Sequence, residues 1–149
     1  MMLMGIDPGF TGAWGMINHN GDYISCGDML HTEKHILTRM VYAEMSQARD
    51  LQDIQIVVEE VHAMPKQGVS STFKFGMAYG AALALAERFN TRLELVTPQR
   101  WKKSMGLSSD KSASLAMARH LWPTAPLSRQ KDNGRAEALL LAEYFRQTI

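Results

Sequence analysis

Cysteine is nearly absent: Cys26 stands alone among 149 residues, which excludes an internal disulfide and fits a reducing cytoplasm. Long apolar runs are missing as well. None approaches the ~18–20 residues of a membrane span, so no membrane partner is expected. Neither sign of charge is in excess. Sixteen basic residues face fifteen acidic ones for a net charge of +1, so nucleic acid could be held only through local basic patches. A cysteine pair is lacking, and no histidine pair accompanies the acid-bearing segments, so a thiolate or imidazole metal site is not expected there. Repeats and low-complexity tracts are also lacking. What remains is 46% apolar residues, enough for one hydrophobic core, and residues 1–149 are taken as a single domain.

Met1 to Ile6 is an apolar run ending at Asp7, and Pro8-Gly9 then breaks the backbone. Ala13–Asn18 and Tyr23–Asp28 are expected as two further strands, joined by an Asn-Gly turn over Asn18 to Asp22. A helix capped by Thr32 is expected to run to about Ala48, on the spacing of Ile36, Leu37, Met40, Val41 and Met45. Asp53 to Val61 holds the β-branched run of a central strand. After a polar loop, a helix from Ser70 or Ser71 to Phe89 carries Gly76, Gly80 and Ala84 on one small face, suited to close packing on the sheet or on a symmetry mate. Leu93–Val96 is a fifth strand. Short helices follow from Pro98 to Lys103 and from Ser108 or Ser109 to His120. A last helix over Arg135–Gln147 is apolar almost all round. The fold class expected is α/β: a mixed five-stranded sheet, three antiparallel strands and then parallel ones, with helices on both faces.

Three segments offer acids. Asp7 ends the first strand. Glu59 and Glu60 end the β-branched run and point to opposite faces, so Glu59 meets Asp7 if their strands are neighbours; otherwise one is solvated and the other salt-bridged. Asp132 and Glu137 flank the start of the last helix, either as capping charges or, for Glu137, as an inward acid that wants a cation. Carboxylates without sulfur or imidazole suit hard cations such as Mg²⁺ or Mn²⁺. Two such ions can clamp the attacking and leaving oxygens of a phosphodiester, the arrangement a nuclease needs.

Gly5-Ile6-Asp7-Pro8-Gly9, Val58-Glu59-Glu60-Val61-His62 and Arg135-Ala136-Glu137-Ala138-Leu139 resemble, in order and separation, the RuvC family of Holliday junction resolvases. The similarity is greatest to phage-encoded RuvC-like members, for which Met64 to Ser71 and Phe73-Lys74-Phe75-Gly76 are also familiar. It extends from Gly5 to about Tyr144. The resemblance implies an RNase H-like fold, a homodimer, two divalent ions per active site (Mg²⁺, with Mn²⁺ substituting), no organic cofactor, and a cytoplasmic setting in a bacterial or phage-infected cell. It implies Asp7, Glu59 and Glu137 as catalytic metal ligands. The fourth acid of bacterial members falls at Gly134, so Asp132 is assigned by proximity. His62 stands where those members carry a junction-probing aromatic residue.

The expected activity is a structure-selective endonuclease that makes paired nicks in four-way junctions and leaves 5′-phosphate and 3′-hydroxyl ends. His62, Lys66, Lys74, Lys102, Lys103, Lys111, Lys131 and Arg135 are the candidate DNA contacts, positioning phosphates around the acids. Trp101 is expected in the core or an interface rather than as a base-stacking platform. The alternatives are a less specific nuclease on flaps or RNA–DNA hybrids, a non-catalytic junction-binding protein, and an actin- or sugar-kinase-like nucleotide binder. The last shares a Gly-Ile-Asp-x-Gly-x-Thr turn but needs two subdomains.

Overall fold

Asn18 closes the first hairpin with its own side chain. Its Oδ1 accepts the backbone N–H groups of Asn20 and Asp22, both at 2.9 Å, and its carbonyl accepts from Gly21 at 3.0 Å. This side-chain turn fixes the register of the two strands it joins. The computed structural model describes residues 1–47, 51–89 and 91–149. Strands β1 (Met2–Asp7), β2 (Ala13–Asn18) and β3 (Tyr23–Asp28) form an antiparallel meander. Strands β4 (Ile54–Glu59) and β5 (Leu93–Val96) add in parallel on the other side of β1, giving the order β3-β2-β1-β4-β5.

Both faces are covered. Helices α1 (Thr38–Met45) and α2 (Val69–Glu87) pack on Met2, Met4, Ile6, Ile56 and Val58. Helices α3 (Pro98–Ser104), α4 (Lys111–Leu121) and α5 (Asn133–Thr148) cover Leu3, Ile17 and Val57. The alternation of side chains along β1 and β4 therefore sorts even positions to α1 and α2 and odd positions to α5. Helix α5 lies unusually close to the sheet: a Cβ on Gly5 would run into the Ala138 carbonyl.

Several element starts differ from the sequence expectation. Thr32 does not cap α1. Its hydroxyl accepts the N–H groups of Lys34 and His35, closing a turn before Ile36, and the helix begins only at Thr38. The expected end at Ala48 lies outside the described residues. Asp110, not Ser108 or Ser109, caps α4 by accepting from Ser112 N at 2.9 Å. The small face of α2 does not meet the sheet. Its buried residues are Ala78, Ala82, Leu85 and Ala86, whereas Gly76, Gly80 and Ala84 are exposed, in line with Val69 and Phe73. No helix among the described residues is long and apolar enough to cross a membrane.

Candidate active site

Parallel pairing places Ile6 beside Val58, so the next residues, Asp7 and Glu59, emerge together at the ends of adjacent strands. Both occupy odd positions and so face α5, which delivers Glu137 from the same side. Asp7, Glu59 and Glu137 line one cavity of about 460 Å³. Its other walls are the Gly9–Gly12 turn, Ser71, Lys74 and Phe75 of α2, Lys102 of α3 and Lys111 of α4. Gly9 has φ +131°, a backbone that other residues resist, and its carbonyl accepts from Gly12 N at 3.1 Å. That turn keeps the mouth open beside Asp7.

The charges are costly where they stand. Burial, then repulsion from Glu59 and Glu137, raises the Asp7 carboxyl well above the ordinary carboxylate range. Glu59 is also raised, chiefly by burial. The Trp101 indole, which donates to Glu59 Oε2 at 2.7 Å, and the charges of Lys102 and Lys111 pull it back only in part. Glu137 pairs with Lys102, Nζ to Oε1 3.3 Å. Three carboxylates without sulfur, desolvated and mutually repelling, are a donor set that fits a hard divalent cation. Among the described residues, no three acid, histidine or cysteine side chains converge closely enough to coordinate one ion as they stand. Gripping an ion requires these side chains to draw closer.

The structure does not bring Asp132 to the other three acids. It is buried before α5, where its carboxylate accepts from the Arg129 backbone N–H (2.8 Å) and guanidinium (2.7 Å). Burial alone would raise its carboxyl, but these bonds hold it below the ordinary range. Gly134, where the resemblance leads one to look for an acid, packs against the site's own turn. A Cβ there would lie 2.8 Å from the Thr11 carbonyl oxygen.

The candidate DNA contacts fall into three groups. Lys74 and Lys111 line the acid cavity. His62 and Lys66 are exposed in the loop after β4, Lys103 is exposed beside the cavity on α3, and Lys131 lines a separate hollow with Phe10 and His31. Two candidates are already engaged. Arg135 makes a double hydrogen bond to Asp28, at 2.7 and 3.0 Å, and Lys102 is paired with Glu137. Trp101 is fully buried, as expected, but its bond to Glu59 was not anticipated from the sequence. The only cue was an indole next to a lysine on a short helix, and nothing local ties that helix to β4.

No family model matches the chain. In an alignment 91 residues long that covers 58% of this chain, it is 35% identical to the chloroplastic Holliday junction resolvase MOC1 of Chlamydomonas reinhardtii, and it spans about 10% of that protein. The solved structure of T. thermophilus RuvC in complex with a Holliday junction substrate superposes with a TM-score of 0.69 at 18% identity. It covers 99% of this chain and 96% of the RuvC chain. A second structure of Thermus thermophilus RuvC gives 0.66 at the same identity and coverage. The chain has the fold of RuvC, an RNase H-like mixed five-stranded sheet with its acids gathered at the ends of β1 and β4 under α5.

Proposed function

We propose that this chain is a divalent-metal-dependent, structure-selective endodeoxyribonuclease that resolves four-way DNA junctions by paired nicks, as a homodimer in the cytoplasm. The observation that carries the reading is the gathering of Asp7, Glu59 and Glu137, from three distant segments, in one lysine-rimmed cavity on a RuvC fold. The 35% identity to a Holliday junction resolvase supports it independently.

In this reading Asp7, Glu59 and Glu137 would hold two Mg²⁺ ions, replaceable by Mn²⁺, which would supply Lewis-acid stabilisation at the scissile phosphate. The chain's own groups do the rest. Lys74 and Lys111 bring the scissile strand's phosphates to the cavity mouth, and Lys66, Lys103 and Lys131 guide the flanking backbone. His62, two-thirds exposed with its Nε2 3.9 Å from Glu60 Oε1, faces solvent where it can contact the junction. Asp132 acts indirectly, by fixing the start of α5 from which Glu137 projects. Paired nicks need two sites. The exposed stripe of Val69, Phe73, Gly76, Gly80 and Ala84 on α2 supports a second copy as its occupant, because small residues let backbones approach.

The test is cleavage of synthetic four-way junctions, flaps and plain duplexes side by side, with Mg²⁺ or with EDTA. Symmetric nicks confined to the four-way substrate and abolished by EDTA are expected. Equal cutting of flaps would replace this reading with that of a broader nuclease, and nicking that persists in both Asp7→Asn and Glu137→Gln would remove the metal-site assignment.

A further inference from the structure

Adjacent residues of α3 each hold one acid of the cavity, Trp101 taking Glu59 and Lys102 taking Glu137. The second contact differs in kind from the first. The Lys102 and Glu137 side chains are only 15% and 7% exposed, so the pair is largely withdrawn from water and neither charge can be left alone without large cost. The Lys102 ammonium also lies 5.4 Å from the centre of the Trp101 ring. Its charge is felt by Asp7 and Glu59, both of which it draws back toward the ionised form.

The formal charges make the consequence plain. With its three carboxylates ionised the cavity carries −3 against +3 from Lys74, Lys102 and Lys111, a formal balance of zero. One dication entering with all three lysines in place would turn this to +2, and a second would turn it to +4. Lys102 already occupies Glu137 Oε1, and the acids do not converge on any shared point as they stand. It also has somewhere to go. The same side chain lines a neighbouring cavity of about 610 Å³ with Pro98, Lys103, Leu107, Ser108 and Ser109.

We propose that Lys102 is the internal counter-ion of the acid cluster and competes with the divalent metal for Glu137. Metal uptake displaces the ammonium toward the Lys103–Ser109 cavity. Lys102 is thus a positioning residue whose ion pair sets the metal affinity of the site. The inference rests on the reading of Asp7, Glu59 and Glu137 as a metal centre.

The experiment is calorimetric titration of Mg²⁺ and Mn²⁺ into wild type, Lys102→Gln and Lys102→Arg, without DNA. Removing the competing charge in Lys102→Gln should tighten Kd by about tenfold, whereas Lys102→Arg should stay near wild type. In EDTA, Lys102→Gln should melt below wild type, and saturating Mg²⁺ should raise its melting temperature by more. A folded Lys102→Gln protein with unchanged or weaker metal binding overturns the competition and leaves the metal centre standing. Absence of metal uptake in all three proteins overturns both. If Lys102→Gln does not fold, wild type labelled with ¹³C at lysine Cε decides. The Lys102 resonance should move in step with Mg²⁺ saturation, and a stationary resonance overturns the proposal.

Discussion

The indole N–H of Trp101 donates to Glu59 Oε2 at 2.7 Å across 42 residues of sequence, from a side chain with no exposed surface. One face of the indole supports the α3–α5 core and its polar edge orients an acid of the cavity. Core residues of this kind hold a site to shape without touching substrate.

Trp101→Phe separates those roles, since it removes the donor and keeps most of the ring. The fold should persist, while Mg²⁺ affinity or junction cleavage falls by about 10- to 100-fold, the usual cost of losing such a partner. Measured affinity and cleavage equal to wild type, in a protein of unchanged melting temperature, would show that Glu59 needs no such support.

Asp7 predicts an inverted pH dependence in the metal-free protein. Its carboxyl is raised by burial and then by Glu59 and Glu137, so the folded chain keeps that proton to higher pH than the unfolded chain does. Between the ordinary carboxylate value of about 4 and the raised folded value, the folded state binds more protons, and stability therefore falls as pH rises. Asp132 and Glu143, shifted the other way, lose stability as pH falls, but they are common to wild type and variant and cancel in the difference. In EDTA at neutral pH, Asp7→Asn should melt several degrees above wild type, and the gap should close toward pH 4. Added Mg²⁺ should reverse the order. Thermal melts across pH, with and without metal, read this directly.

The two acids near the start of α5 should answer differently to loss of charge. Glu137→Gln should retain junction binding and lose cleavage to background, because Glu137 lines the acid cavity. Asp132→Asn should keep cleavage within about tenfold and lose about 1–2 kcal/mol of stability, the scale of a helix-start hydrogen-bond network. Paired gel-shift, cleavage and denaturation measurements on the two proteins separate ligand from scaffold. Cleavage abolished in Asp132→Asn at unchanged stability would put Asp132 back among the ligands.

Much of this was written in local sequence, and the limits have a physical origin. The β-branched run before Glu59, the Asn18–Asp22 turn and the apolar α5 each act over a few residues, so sheet, hairpin and buried helix could be read directly. The alternation rule chose Glu59 over Glu60 once the β1–β4 register was known. Contacts between distant segments left no such mark. Lys102–Glu137 and Trp101–Glu59 join residues 35 and 42 apart, and a lysine in a basic stretch looks like a DNA contact until its partner is seen. Asp132 is a related case. Proximity in sequence to Glu137 says nothing about direction, and Arg129 supplied the partner that turned it away.

Gly134 yields the last prediction, because its lack of a side chain belongs to the cavity wall as much as to the helix. A Cβ there would stand 2.8 Å from the Thr11 carbonyl oxygen, a backbone atom in the turn that borders Asp7. Backbone cannot swing aside as a flexible side chain would, so either α5 or the turn must move. Gly134→Asp should therefore not act as a gained metal ligand. It should cost about 1–3 kcal/mol, the scale of overpacking, and lower cleavage by displacing the wall from the acids. Gly134→Ala should lose nearly as much, since the clash comes from the Cβ and not from the charge. Denaturation and Mg²⁺ titration of both variants decide the point: an aspartate variant that binds Mg²⁺ more tightly than wild type, while the alanine variant does not, would show that the turn yields and that the fourth acid position is still open in this chain.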